Sequence, residues 1–173
     1  FLKSKKALYI DLESLIVFSS LFSCNFLESS SLPGARVESR PGWSTSSFIS
    51  RPDVIPRGYD TVIVILGGNN RNLNYEAYRD RIVRFVLLLR SYGTKKIVWI
   101  GPLWSSRSPV NTRHSWTSDA QSVIFDELNI PWINLYRRTV RSRRYRFRDG
   151  VHLTYPSYSR LTEEVLNPFI SLL

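Results

Sequence analysis

The sequence predicts an α/β domain in which helices cover both faces of a parallel sheet. Its apolar runs are short, rich in β-branched and aromatic residues, and do not alternate with polar residues, which is typical of strands buried on both faces. Segments with helical periodicity separate these runs, so strand and helix follow each other along the chain. The chain has 173 residues, 43% of them apolar, and we expect one domain over residues 1–173.

Four strong apolar runs and one weaker run predict the strands. The strong runs are residues 7–10, 61–66, 96–100 and 132–135, and the weaker run is residues 35–38. In an open parallel sheet, ligands bind at the carboxyl ends of the strands. The loops that follow these runs are therefore where a functional site is expected.

Three segments predict helices. Residues 75–92 have apolar side chains at helical spacing, with Asn74 as N-cap and Gly93 as a stop signal. We expect a second helix over residues 115–128 and a third over 157–166, before Pro168. In the second helix one apolar face is expected, formed by Trp116, Ala120, Val123 and Ile124.

The net charge of +10 is concentrated in one segment. Residues 137–148 contain seven arginines and no acid, which leaves 17 basic against 14 acidic residues elsewhere, an excess of +3. These arginines, with Tyr145 and Phe147 between them, predict a surface that binds an anionic substrate, RNA or an anionic membrane. The alternative is a solvated loop. The arginines are Arg137, Arg138, Arg141, Arg143, Arg144, Arg146 and Arg148.

The composition excludes several classes of protein. Cys24 is the only cysteine, so neither an intrachain disulfide nor a Cys/His zinc cluster can form. The longest apolar stretch is interrupted by Asp11 and Glu13 and predicts no membrane span, and no signal-peptide cleavage site is clear. These features favour an intracellular location, whereas the sequence predicts no oligomeric state.

Near the end of the chain, Asp149-Gly150-Val151-His152 predicts a catalytic pair. A carboxylate three residues before an imidazole can accept the Nδ1 proton, so that Nε2 acts as a base. Such a base needs a nucleophile, and Ser14, four residues after the first apolar run, is the candidate.

Acyl transfer also needs hydrogen-bond donors for an oxyanion. Asn69 supplies a side-chain amide after Gly67-Gly68, and Gly42 supplies a backbone N–H; Pro33-Gly34 is an alternative turn. Trp43 and Trp104 are candidates for lining an acyl pocket. His114 has no acidic partner in the sequence, and we expect it at the surface or at a helix cap.

Taken in chain order, these blocks resemble the SGNH hydrolases, or GDSL esterases, over residues 8–166. Gly67-Gly68-Asn69-Asn70 is similar to the family's Gly-x-Asn-Asp, and Asp149 to His152 is similar to its Asp-x-x-His. The resemblance implies a flavodoxin-like α/β/α sandwich of about five parallel strands, an ester substrate, and no metal or organic cofactor.

The resemblance also implies residue roles. Ser14 would be the nucleophile, His152 the base and Asp149 its orienter. Asn69 and the N–H groups of Gly42 and Ser14 would form the oxyanion hole.

The first block departs from the family pattern. It reads Leu12-Glu13-Ser14-Leu15 instead of Gly-Asp-Ser-Leu, and we align Ser14 with the nucleophile because Ser-Leu-Ile is then expected to enter a helix. In the alternative register Glu13 takes that position and the protein is inactive. Asn70, in place of the usual Asp, is expected to alter the loop.

Two functions follow. The first is a serine esterase. The second is a weak or inactive SGNH-like domain that binds RNA or anionic membrane through residues 137–148. The blocks Gly101-Pro102-Leu103 and Asp149 to His152 also resemble, more faintly, the esterase domain in first-open-reading-frame proteins of some non-LTR retrotransposons.

Overall fold

The computed structural model describes residues 15–19, 36–70 and 74–170. Five strands in these ranges form one sheet in the order β2-β1-β3-β4-β5, and every neighbouring pair is parallel. The strands are β1 (Leu15–Ser19), β2 (Arg36–Ser39), β3 (Thr61–Ile65), β4 (Lys96–Ile100) and β5 (Trp132–Ile133). This is the strand order of a flavodoxin-like fold and confirms the predicted class.

Helices follow most of the strands. They are α1 (Thr45–Ser50), α2 (Tyr75–Ser91), α3 (Ser108–Glu127), α4 (Leu135–Thr139), α5 (Tyr155–Leu161) and α6 (Asn167–Ile170), with a 3₁₀ turn at Pro52–Val54 and a π-helical turn at Thr162–Leu166. The prediction for α2 is confirmed. The Asn74 side chain accepts the Ala77 N–H at 2.8 Å, which caps the helix.

Both faces of the sheet are covered. Val62 and Val64 of β3 belong to the core cluster that contains side chains of α2 and α3, such as Phe85 and Phe125. Ile63 and Ile65 of β3 belong to a second cluster on the opposite face, with side chains of α5 and the π-helical turn. Since successive side chains of a strand point to opposite faces, this division places the sheet between two helical layers.

The register brings the carboxyl ends of the strands into one row. Ser19 pairs with Ser39 on one side and with Ile65 on the other, Ile65 pairs with Ile100, and Ile100 pairs with Ile133. The loops that leave this row meet at one edge of the sheet. This edge is where the sequence predicts the functional site.

The region around Ser14 differs from the expectation. A helix was expected to follow Ser14, and this was wrong, because residues 15–19 form the interior strand β1 between β2 and β3. The apolar run Leu-Ile-Val-Phe is itself typical of a strand buried on both faces. The strand predicted over residues 7–10 lies outside the described residues.

The predictions for α3 were partly wrong. The helix begins at Ser108 rather than near residue 115, with Pro109 in its first turn, where a missing N–H is tolerated. Trp116 and Val123 are 39% and 48% exposed, so they do not share a buried face with Ile124. The buried face instead carries polar side chains, which face the loops at the carboxyl edge. They are His114, Thr117, Ser118 and Gln121.

The last helical segment continues through Pro168 to Ile170, whereas the prediction ended it at residue 166. Pro168 has no N–H to donate to residue 164. The preceding turn widens to π-helical hydrogen bonding, with the Asn167 N–H bonded to the Thr162 carbonyl. In the described ranges, no helix is both long enough and apolar enough to cross a membrane.

Gly67 and Gly93 offer a test of how tightly the carboxyl edge is packed. Both have positive φ, +138° and +94°, but a Cβ on Gly67 would lie 2.8 Å from Gln121 Nε2, whereas a Cβ on Gly93 would meet nothing within 4 Å. Gly93→Ala is expected to cost about 1–2 kcal/mol for its backbone conformation. Gly67→Ala is expected to cost a further 1–3 kcal/mol, roughly the usual cost of overpacking.

The measurement is urea unfolding of both variants and the wild type. Equal losses in the free energy of unfolding would contradict the tight packing of Gly67 against Gln121.

Candidate active site

Asp149 and His152 form the predicted pair. His152 Nδ1 lies 2.6 Å from Asp149 Oδ2, and Asp149 Oδ1 accepts the N–H groups of Val151 at 3.0 Å and His152 at 2.7 Å. These hydrogen bonds, first of all those from the backbone and side chain of His152, hold the pKa of Asp149 well below its usual range. The carboxylate is therefore ionised at neutral pH and fixes the imidazole with a proton on Nδ1.

The loop after β4 holds this turn in place. The Gly150 carbonyl accepts the Ser105 hydroxyl at 2.7 Å and the Ser106 N–H at 2.9 Å, and Arg107 Nε donates to the Asp149 carbonyl at 2.8 Å. Gly150 has φ +83°, and a Cβ there would lie 2.7 Å from Ser106 Oγ. Only glycine fits this position without strain or displacement of the loop.

Asn69 connects the loops after β3 and β2. Its Nδ2 donates to the Trp43 carbonyl at 3.3 Å. An amide nitrogen carries two hydrogens, and this bond uses one of them. Because Gly42 precedes Trp43, the two sequence-predicted oxyanion donors lie on loops that are directly bonded to each other.

A buried polar chain supports the loop that carries Asn69. Asn70 Oδ1 accepts the Thr45 N–H and Asn70 Nδ2 donates to the Tyr78 hydroxyl, both at 3.3 Å. Gln121 Nε2 donates to the same hydroxyl at 3.0 Å and to the Leu66 carbonyl at 3.2 Å. The amide of Asn70 thus accepts from one partner and donates to the other, whereas a carboxylate there could only accept.

A cavity of about 230 Å³ opens at the carboxyl edge, beside the Asp149–His152 pair. It brings together three of the residues predicted from the sequence, namely Gly42, Asn69 and His152. The remaining lining is mostly apolar, with Arg113 and His114 as the exceptions. The other lining residues are Ile65, Leu66, Gly68, Pro102, Leu103, Val110 and Val151.

His114 is buried in the wall of this cavity, so the expectation of a surface or cap residue was wrong. Its Nδ1 lies 2.7 Å from the Leu103 carbonyl and its Nε2 lies 3.3 Å from the Gly68 carbonyl. Burial lowers the pKa of His114, so the neutral ring is favoured, and the shorter contact assigns its proton to Nδ1. The ring thus donates to the loop after β4 and packs against the loop after β3.

Ser14, the sequence candidate for the nucleophile, lies outside the described residues, as does the alternative Glu13. The role of Ser14 and of its N–H therefore stays a prediction. Leu15, the next residue, pairs with Thr61 at the amino end of β3, whereas the Asn69 loop leaves the carboxyl end.

The Arg-rich segment, residues 137–148, runs from the last turn of α4 to the Asp149–His152 turn. Its end pairs with that turn, since the Arg148 N–H donates to the His152 carbonyl at 2.8 Å and Phe147 forms an antiparallel bridge with Leu153. All seven arginines of the segment are exposed, and none lines the 230 Å³ cavity. Three of them, Arg143, Arg144 and Arg146, line a separate depression with Arg160.

The aromatic side chains near the site are less available than the sequence suggested. Tyr145 is 8% exposed and belongs to the core, and Phe147 packs edge-on against Trp104 with ring centroids 5.4 Å apart. Tyr145 is therefore too buried to stack on bases, and Phe147 is partly covered by Trp104. Trp43 packs against Phe48 at 5.0 Å, and neither Trp43 nor Trp104 lines the cavity, so their predicted pocket role was wrong.

Sequence reasoning missed Arg113, His114 and the Ser105–Arg107 loop. The helical spacing of Val110, Arg113 and His114 was a usable signal, since three and four residues separate positions on one helical face. The predicted start of α3 at residue 115 hid this face. The Ser-Ser-Arg sequence after β4 carried no signal specific to the site.

No protein-family model matches this sequence, and no curated protein matches it. Solved structures do resemble it. A GDSL-like lipase from Bacteroides thetaiotaomicron has 16% identity and a TM-score of 0.70, covering 95% of this chain and 92% of its own.

Two further solved structures also resemble this chain. A catalytic mutant of Axe2, an acetylxylan esterase from Geobacillus stearothermophilus, has 15% identity and a TM-score of 0.65, with 90% of this chain and 92% of that chain covered. TesA has 14% identity and a TM-score of 0.65, with 90% and 97% covered. At these identities the likeness establishes architecture, and the chain has the fold of the SGNH, or GDSL, esterases.

Proposed function

We propose that this protein hydrolyses carboxylic esters with a serine nucleophile and the Asp149–His152 pair. The observation that carries the proposal is the 2.6 Å contact between His152 Nδ1 and Asp149 Oδ2, in a turn beside a cavity that Asn69 also lines. In this mechanism His152 Nε2 takes the serine proton as the hydroxyl attacks the ester carbonyl. Water then releases the acyl group with the same base.

The position of β1 bears on which serine attacks. A Ser-Leu pair, as expected of the first block, flanks β1 on both sides, at Ser14-Leu15 and at Ser20-Leu21. Along the chain, Ser14 precedes β1 and Ser20 follows its carboxyl end. Four steps along β1, or roughly 13 Å, separate Leu15 from Ser19, so we favour Ser20 over Ser14 as the nucleophile. Both serines lie outside the described residues.

Asn69 is the proposed side-chain donor to the oxyanion, with the backbone N–H of Gly42 and that of the nucleophilic serine. Support comes from the Asn69 amide, which has a second N–H beyond the one bonded to the Trp43 carbonyl. The bonded loops that carry Asn69 and Gly42 reduce the reorganisation needed when the negative charge develops.

A second candidate function is binding of RNA through the Arg-rich segment, with or without hydrolysis. It is favoured by the depression of about 560 Å³ that Arg143, Arg144, Arg146 and Arg160 line. A concave site suits a phosphate backbone better than a flat membrane. Since Tyr145 and Phe147 are packed, this binding would depend on phosphate contacts and show little base preference. The likeness to retrotransposon domains stays a prediction.

The nucleophile can be identified with a fluorophosphonate probe. Ser20→Ala is expected to abolish labelling, because the reactive hydroxyl is removed, whereas Ser14→Ala is expected to label like the wild type. Labelled protein is quantified by gel fluorescence, with circular dichroism to verify folding. Loss of labelling in Ser14→Ala alone would identify Ser14 as the nucleophile. A folded wild type that does not label would contradict the proposed esterase activity.

Asn69→Ala is expected to lower kcat for a p-nitrophenyl ester by about 10² to 10³-fold, the usual effect of losing one oxyanion donor. Asn69→Asp keeps the shape of the side chain but removes both amide hydrogens, and it is expected to lower kcat by the same factor. Steady-state kinetics measure both variants, and their melting temperatures control for folding. Wild-type turnover in Asn69→Asp would refute the donor role.

The RNA-binding candidate predicts a steep salt dependence. Each phosphate contact contributes a slope of about −0.7 to log K against log salt for single strands. Arg143→Gln/Arg146→Gln is expected to reduce the slope by about 1.4. Arg84→Gln/Arg90→Gln, which changes the net charge equally on exposed positions of α2, is the control and should leave the slope unchanged.

Fluorescence anisotropy with a single-stranded RNA measures these slopes, and vesicles of anionic lipid serve as the comparison ligand. Binding that is insensitive to salt, equal slopes in the two double variants, or binding to the vesicles alone would each count against the RNA candidate.

A further inference from the structure

Arg113 stands out among the residues that line the 230 Å³ cavity. It is half-buried on α3, and it is the one arginine in a lining that is otherwise mostly apolar. Its Nε donates to the Gly68 carbonyl at 3.0 Å, which leaves the two terminal nitrogens of the guanidinium for other partners. The bond to Gly68 fixes this cation next to the loop that carries Asn69.

No carboxylate of the described residues lies within 4 Å of Arg113. Several other arginines do have such partners, including Arg79 with Glu127 and Arg84 with Asp80, both at 2.9 Å. A cation that is partly removed from water and has no counter-ion is costly to hold. The cost is offset when the ligand of the cavity supplies the negative charge.

The dimensions of the cavity limit what this ligand can be. Its volume of about 230 Å³ exceeds the roughly 150 Å³ cavity that accommodates a benzene ring, so a group of several non-hydrogen atoms fits. The apolar side chains of Leu66, Leu103 and Val110 suit a short hydrocarbon stretch. Arg113 supplies planar, paired donors that match a carboxylate.

We propose that Arg113 selects ester substrates that carry a carboxylate close to the scissile bond, such as half-esters of short dicarboxylic acids. This inference rests on the proposed ester hydrolysis and adds the substrate class. Arg113 binds the anionic end of the substrate in both the ground state and the transition state. The site therefore separates the reacting carbonyl, near Asn69 and His152, from a charged anchor on α3.

The first test compares two esters with the same five-carbon acyl chain. They are mono-p-nitrophenyl glutarate, which is anionic, and p-nitrophenyl pentanoate, which is neutral, with uncatalysed hydrolysis subtracted for each. The wild type is expected to have the higher kcat/KM for the glutarate. Arg113→Gln is expected to lower the glutarate-to-pentanoate ratio by about 10- to 100-fold, the range for losing a hydrogen bond to a charged group.

Two control variants separate selection from other effects of the charge. Arg113→Lys keeps the charge and is expected to recover part of the ratio. Arg84→Gln removes one exposed arginine of α2 and is expected to leave the ratio at the wild-type value. If Arg113→Gln lowers both activities equally, for this pair and for the second pair of esters below, Arg113 acts only by supporting the Gly68 loop, and the proposal is overturned.

A second pair of esters locates the charge in the substrate. Para-acetoxybenzoate carries its carboxylate on the alcohol side, and its methyl ester is the neutral partner. If the anionic-to-neutral ratio of kcat/KM depends on Arg113 in the glutarate pair, the anion belongs to the acyl chain. If this ratio depends on Arg113 in the acetoxybenzoate pair, the anion belongs to the alcohol. If the ratio depends on Arg113 in neither pair, the proposal is overturned.

A binding measurement keeps this inference distinct from the proposed function. Excess glutarate is expected to raise the melting temperature of the wild type and of His152→Ala, but not that of Arg113→Gln. If no ester is hydrolysed and this shift still depends on Arg113, the esterase fails and the anion site stands. If the shift is absent from the wild type or persists in Arg113→Gln, the anion site fails, whatever the activity.

Discussion

The parallel register of the sheet is the constraint on which the site depends. Because Ser19, Ser39, Ile65, Ile100 and Ile133 lie in one row, the loops after the strands leave the sheet side by side. Their backbone carbonyls then lie where no strand can satisfy them, and a buried carbonyl without a donor is costly. The molecule meets this requirement by hydrogen bonds from one loop or helix to the next.

These hydrogen bonds also give the site its geometry. Asn69 donates to the Trp43 carbonyl, Ser105 to Gly150, and Arg113 to Gly68. Each bond joins elements that are far apart in sequence and brings one proposed functional group to the cavity. The same contacts that satisfy the loops therefore hold the imidazole, the amide and the guanidinium in fixed positions, which is what preorganised electrostatic stabilisation of a transition state requires.

Local features of the site could be predicted from the sequence, and long-range features could not. The contact between Asp149 and His152 was predictable because the two residues belong to one short turn. Arg113 and His114 were not, because their position depends on where α3 begins and how it lies over the loops. For β1, two apolar runs had similar strand character, residues 7–10 and 15–18, and only pairing with β2 and β3 reveals that the second is an interior strand of the sheet.

The positive charge of the chain divides into two parts with different ranges of action. The exposed arginines of residues 137–148 act through solvent, where attraction for an anion extends about 10 Å at 0.1 M salt and is lost as salt rises. Arg113 acts inside a partly enclosed cavity, where screening is weak and contact geometry decides the affinity. A substrate with its own carboxylate would be attracted by the first set of charges and selected by the second. The carboxylate of the substrate can thus be recognised in two steps, attraction and selection, that use different residues.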